Sequence, residues 1–174
     1  MKARRRVWSR VVAALLLVVA TGFVACATSG MTREEKAAQK LRVAQAVADS
    51  LAERHFSVDV NYVTPQRMPG HNLTYGYGVK VKGDVIESYL PFFGRVYRAE
   101  FGEQTGLNFT DRILDYRSGV VKKGRYAVEL VVRRRLETLI YRFDIFENGK
   151  TTIMVRSDNR DTMTFSGEMN MEVP

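Results

Sequence analysis

Residues 138–157 read Thr138-Leu139-Ile140-Tyr141-Arg142-Phe143-Asp144-Ile145-Phe146-Glu147-Asn148-Gly149-Lys150-Thr151-Thr152-Ile153-Met154-Val155-Arg156-Ser157. Apolar and polar side chains alternate on both sides of Glu147-Asn148-Gly149, which is the period of a half-buried strand. Asn148-Gly149 between two such runs predicts a hairpin, because both residues tolerate the positive φ of a type I′ turn. Working outward, the same alternation predicts strands at Asn108–Tyr116, Gly124–Arg133 and Thr162–Met169, with a turn at Lys122-Lys123-Gly124. The second half of the chain is therefore an antiparallel meander.

Upstream, Phe56, Val58, Val60 and Tyr62 alternate with Ser57, Asp59 and Asn61 until Thr64-Pro65 and Met68-Pro69-Gly70 break the pattern as a loop. Tyr75, Tyr77, Val79 and Val81 form the next set, and Lys82-Gly83-Asp84 turns the chain into Val85–Leu90. Glycines at 76 and 78 between the tyrosines predict a bent strand or a close backbone approach. About eight strands exceed what a flat sheet holds comfortably, so the expected fold is mainly β, a closed or partly open antiparallel barrel, with a two-sheet sandwich as the alternative.

One helix precedes the strands. Thr32-Arg33-Glu34-Glu35 fits a capping box, and Ala37, Leu41, Ala44, Ala48 and Leu51 recur at helical spacing, with Val47 and Ala52 widening the stripe. The spacing predicts an amphipathic N-terminal helix over 32–55 that lays a small-residue face on the sheet. Glu34, Glu35, Asp49 and Glu53 argue against a membrane-surface helix.

Residues 1–25 have the order of an export signal: Lys2, Arg4, Arg5, Arg6 and Arg10, then the uncharged run from Val11 to Val24. That run is short for a membrane span, which takes about 20 apolar residues. Phe23-Val24-Ala25-Cys26 resembles a lipobox, with Phe23 where Leu is usual. Cys26, the single cysteine, is thus the expected lipidation site, and the membrane is the expected partner through its acyl chains. Residues 26–31 form the lipidated N-terminus and short tether, and 56–174 the barrel.

The formal charge of +8 comes from 27 basic and 19 acidic residues, but five of the basic ones lie in residues 1–25. Their removal leaves 22 against 19, too even a balance to predict a nucleic-acid binder. Arg133-Arg134-Arg135 alternates across a strand and forms no single row.

Ser88-Tyr89-Leu90-Pro91-Phe92-Phe93-Gly94-Arg95-Val96-Tyr97, preceded by Val81-Lys82-Gly83-Asp84, resembles the DUF4251 family. Asn148-Gly149, Val155-Arg156-Ser157-Asp158-Asn159-Arg160 and Phe165-Ser166-Gly167 extend the similarity, which spans about residues 50–170. The resemblance implies a lipocalin-like curved barrel with an N-terminal helix, in an exported and often lipid-anchored protein of the Gram-negative outer membrane, on its periplasmic side or at the cell surface. It carries over no catalytic residue.

Tyr75, Tyr77, Tyr89, Phe92, Phe93, Tyr97, Phe101 and Phe109 crowd a short stretch. Such rings either fill the core or line a pocket for an apolar or amphiphilic ligand. Tyr75, Tyr77, Tyr89, Phe92, Phe93 and Tyr97 are the candidate ligand-binding residues, joined by Arg160, which either meets an anionic head group or belongs to a polar turn at 158–161. His55 and His71, the only histidines, have no metal-site spacing, and no cofactor is expected. The expected function is a cell-envelope lipoprotein acting as a non-catalytic binding or accessory module for a lipid-like ligand. A protein-interaction module of an envelope complex is the alternative, and an envelope hydrolase built on a histidine the third.

Overall fold

Alternating side chains make strands that are apolar on one face, and closing them on each other is what hides that face. The computed structural model describes residues 31–74, 76–98, 106–134 and 137–170. One helix, α1 (Arg33–Ala52), is followed by β1 (His55–Pro65), β2 (His71–Asn72), β3 (Gly78–Lys82), β4 (Val85–Leu90), β5 (Leu107–Lys122), β6 (Arg125–Arg134), β7 (Glu137–Phe146), β8 (Lys150–Ser157) and β9 (Met163–Asn170). Each of β3 to β9 pairs antiparallel with its successor, and β9 returns to β1, which also pairs with β3. The result is a closed eight-stranded antiparallel barrel, with β2 a two-residue addition beside β1. The described residues from Glu34 to Asn170 form one compact unit.

Eight strands enclose a space that side chains can just fill. Here Tyr141, Phe143 and Phe165 are fully buried among Val58, Ile86, Leu130, Leu139 and Ile153. Phe143 meets Phe56 edge-on at 5.6 Å and stacks against Tyr141 at 6.4 Å. The Tyr141 hydroxyl in this core is satisfied, lying 3.0 Å from Ser88 Oγ. Burial pushes the Tyr141 phenol above its ordinary range, so it stays neutral.

The β7–β8 hairpin forms where Asn148-Gly149 predicts it, but with another turn. Gly149 has φ 83°, whereas Asn148 keeps a negative φ. Gly149 N donates to Phe146 O at 2.9 Å, and the Asn148 side chain accepts from Lys150 N at 3.1 Å. This is a three-residue loop with one left-handed position rather than a type I′ turn.

Several boundaries move. The helix ends at Ala52 instead of 55, because Arg54 at φ 51° reverses the chain into β1. Ala37 and Leu41, expected on the packed face, are exposed. The second half of the stripe packs as expected, with Val47 and Leu51 buried and Ala44 and Ala48 half-buried, whereas in the first half Lys36, Lys40 and Val43 share a cleft with Phe146 and Asn148. In β1 the register with β9 shifts between Val60 and Tyr62, so Val63 turns inward and Tyr62, expected inside, is 37 % exposed. β1 also continues through Thr64-Pro65, expected as loop, and β5 runs six residues past Tyr116.

The β1–β9 seam rests on a close backbone approach. A Cβ at Gly167 would collide with Asp59 O and stand 2.9 Å from Val60 Cα. Gly119 in β5 has nothing within 4 Å. Gly167→Ala is therefore expected to lower the thermal midpoint by many degrees, and Gly119→Ala to leave it within about 0.5 kcal/mol of wild type, as an open surface position does. Urea titrations of both variants check the contrast.

Candidate functional site

The wall made by β1, β3, β4 and β5 carries two outward rows. Ser57, Lys80, Glu87 and Thr110 are cross-strand neighbours, as are Asp59, Gly78, Tyr89 and Asn108. Gly78 leaves one position without a side chain, and it must: a Cβ there would lie 2.6 Å from Val58 O. The Tyr77 ring stacks on Tyr89 at 5.3 Å with planes 18° apart. Around this pair is an open groove of about 520 Å³, lined also by Phe109. Tyr89 is 54 % exposed, so the groove offers an aromatic surface to solvent, flanked by Asp59, Lys80, Glu87 and Asn108. Such a surface pairs flat apolar contact with charged and amide groups that fix orientation.

A second cluster closes one barrel end. After Leu90 the chain leaves β4 at Pro91 and runs against the β8–β9 connection. Tyr97 N donates to Asn159 O at 2.9 Å, Asp161 N to Arg95 O at 3.0 Å, and Asn159 Nδ2 to Arg98 O at 2.8 Å. Gly94 permits this approach, since a Cβ would stand 2.9 Å from Phe92 Cζ and 3.0 Å from Asp161 Cβ. The two motifs that carry the resemblance thus bind each other.

Two carboxylates hold the lock. Glu137 receives Arg160 Nε at 2.9 Å and Nη2 at 2.5 Å, and Ser157 Oγ at 3.0 Å. Arg160 also lies over the Phe92 ring at 5.1 Å. This is a buried bidentate pair, with both side chains under 10 % exposed. Asp161 takes the Tyr97 hydroxyl at 2.6 Å, Arg95 N at 3.0 Å and Arg67 Nε at 3.3 Å. Donation from Tyr97 above all, then the Arg95 amide and the Arg67 charge, holds the Asp161 carboxyl below its ordinary 3.8 against the opposing effect of burial.

The expected ligand residues therefore fall in two places. Tyr77 and Tyr89 meet in the groove. Phe92, Tyr97 and Arg160 belong to the end lock, with Arg160 engaged by Glu137 and Phe92, and Phe93 sits beside His71 at 4.7 Å. Cys26, Tyr75 and Phe101 lie outside the described residues. Asp161, Glu137 and Arg67 were not anticipated. Glu137 had a visible signal, since it shares the inward phase of Leu139 and Tyr141. His55 opposes Lys82 and His71 opposes Val63, eight positions along β1, or about 27 Å apart. No described group of three His, Cys, Asp or Glu residues has metal-site geometry, and no described helix is long and apolar enough to cross a membrane.

The model of the family described as "Domain of unknown function (DUF4251)" matches residues 35–169. Among solved structures, a DUF4251 family protein from Bacteroides eggerthii DSM 20697 superposes with a TM-score of 0.60 at 17% sequence identity, covering 76% of this chain and 89% of that one. Comparison with curated proteins yields no match.

Arg160→Met or Glu137→Leu alone strands a buried charge and is expected to cost about 3–5 kcal/mol, and the double variant less than either. Denaturant unfolding of the three variants reads this directly. For Asp161 the folded carboxyl titrates below the unfolded one, so its stabilisation is complete above the unfolded value and fades as pH falls through the folded value. The midpoint gap between wild type and Asp161→Asn is expected to hold constant down to about pH 5 and to close below about pH 4.

Proposed function

Given that this chain belongs to the DUF4251 family, whose description assigns no activity, we propose that it is an envelope lipoprotein, tethered through Cys26, that binds an amphiphilic ligand without catalysis. The observation that carries this reading is the stack of exposed Tyr89 on half-buried Tyr77 in a groove of about 520 Å³ with ionic flanks. A barrel interior occupied by Tyr141, Phe143 and Phe165 moves the binding surface to the outside of the wall, unlike barrels that hold a ligand within. Tyr89 supplies flat apolar area, while Lys80 and Glu87 offer charges to a polar head. The export order of residues 1–26 and the short chain between Cys26 and α1 support a position close to the bilayer. One acyl chain binds weakly, and the two or three of a mature lipoprotein hold firmly.

A second reading, a protein-interaction module, draws on the length of β5, whose edge is only partly covered. A hydrolase built on His55 or His71 has less to draw on, since among the described hydrogen bonds and ion pairs none joins either histidine to a carboxylate.

The test uses the full chain expressed in its envelope and purified in detergent. Cys26→Ser is expected to release the protein to the soluble fraction, and a variant that still needs detergent removes the anchor from the proposal. Native mass spectrometry of wild type is expected to show a co-purifying amphiphile whose occupancy falls about tenfold in Tyr89→Ala, given roughly 1–2 kcal/mol for a lost aromatic contact. A ligand-free wild type, or full occupancy in the variant, overturns the binding reading.

A further inference from the structure

The β5–β6 hairpin outruns the neighbouring turn at its end of the barrel. Pairing of β4 with β5 ends at Val85↔Arg112, whereas β5 continues to Lys122 and turns through Lys123-Gly124 into β6. Residues 114–122, about 30 Å of strand, therefore project past the β3–β4 turn. The projecting tip is both apolar and basic. Val120 is 68 % exposed and Val121 50 %, and Lys122 and Lys123 are exposed beside them. The register shift between Val120 and Lys122 leaves Val121 outside the ladder.

α1 brings its own charges to the same place, where exposed Lys36 and Lys40 share a cleft with Gly124 of the β5–β6 turn and Phe146 of the β7–β8 turn. Glu147 lies against Gly124, and Glu34 and Glu35 open the helix, so the helix side is mixed in charge while the hairpin tip is basic. Lys122 also stands across the ladder from Arg125, a like-charged pair that a hairpin disfavours. Asp144 answers Arg125 at 3.0 Å. A tip that gathers Lys122 and Lys123 beside it repels itself in water, and an anionic surface relieves that repulsion. The chain from Cys26 to Arg33, the start of α1, spans at most about 25 Å even when extended. An acylated Cys26 thus holds this end of the barrel within that distance of the bilayer.

We propose that the β5–β6 tip is a membrane contact for anionic phospholipid, an inference that rests on the proposed Cys26 anchor and deepens it. Val120 and Val121 enter the boundary between headgroups and acyl chains, while Lys122 and Lys123 meet phosphate oxygens, flanked by Lys36 and Lys40. Apolar burial and attraction to anionic headgroups add in such contacts, and each lysine near the surface strengthens the contact about fivefold. The acyl chains supply residence, and the tip supplies orientation. It stands the barrel on its α1 end and turns the opposite end, where Arg67 meets Asp161, away from the bilayer.

Single tryptophans test this in the full chain, reconstituted in vesicles of phosphatidylcholine with brominated acyl chains, with and without phosphatidylglycerol. Trp8→Phe removes the natural ring, so the readout is the same whether or not residues 1–25 are cleaved. Val121→Trp places a ring at the tip, and Met68→Trp, also at an exposed position, places one beside Arg67 at the opposite end. With phosphatidylglycerol present, the tip ring is expected to shift to the blue and to be quenched several-fold more than the ring at the opposite end. Lys122→Gln/Lys123→Gln is expected to lower the bound-to-free ratio of the tip about 25-fold, and omission of phosphatidylglycerol at least as much. Circular dichroism melts establish that each variant is folded. Equal quenching at the two positions, or tip quenching indifferent to the lysines or to phosphatidylglycerol, overturns the proposal. The mass of the N-terminal peptide reports the anchor separately. An unmodified Cys26 with a quenched tip overturns the anchor alone, and an acylated Cys26 with an unquenched tip overturns this surface alone.

Discussion

Closure of eight strands through the β1–β9 seam is the constraint on which the other features depend. A barrel of this size has room for side chains and little else. Once Tyr141, Phe143 and Phe165 occupy it, the interior is a core, and anything the protein binds must meet its outer surface or its ends. The seam itself depends on Gly167, the one position at which β9 can come this close to the β1 backbone where β1 shifts register. That shift explains why Val63 and not Tyr62 continues the inward row.

The closed barrel still has open ends, and each is covered by a different kind of interaction. At one end α1 lays Val47 and Leu51 on the core. At the other, the 91–98 segment and the 158–162 connection bind through backbone bonds and two anchored carboxylates. Replacement of such buried ion pairs by well-packed apolar groups is often neutral or stabilising, so raw stability is a weak reason for their presence. What they specify is geometry: Glu137 at the start of β7 orients Arg160, Arg160 supports Phe92, and Asp161 gathers Arg67, Arg95 and Tyr97. The aromatic segment is a lid held shut, not a display of free rings.

The strands from Val85 onward were legible because inward and outward residues alternate, as buried against half-buried or exposed in β4 and β6 to β9 and as half-buried against exposed in the first half of β5, so period two survives in the residue order. Tyr62 was misread because a bulge shifts phase without leaving a mark in composition. Only the first half of the helix stripe departs from the sequence reading, because Ala37 and Leu41 fit the same period as Lys36 and Lys40, one residue away, and the cleft beside the β7–β8 turn takes the lysines. The hairpin at Asn148-Gly149 was legible as a hairpin, whereas its turn type depended on the Asn148 side chain capturing Lys150 N. For the site, Tyr77 and Tyr89 stand out in the sequence as aromatic candidates, but their stacking on one another depends on the register across Gly78. Arg160 reads first as a turn residue and second as a ligand contact, and its actual partner Glu137 is hidden because it lies 23 positions earlier.

The groove also falls where the barrel wall is thinnest. β3 has five residues and β4 six, against ten in each of β6 and β7 and sixteen in β5. Gly76 and Gly78 add backbone freedom at the entry to β3, and glycine within a strand weakens it. Local opening costs least where ladders are short and apolar contacts few, and adaptable surfaces come from that part of a fold. The β5–β8 ladder is the extensively paired side of the barrel, and the β3–β4 hairpin with its stacked tyrosines is the sparsely paired one. Tyr89 stacks on Tyr77 and still leaves more than half of its surface to solvent, so a further stacking partner would bury apolar area that the fold itself leaves open.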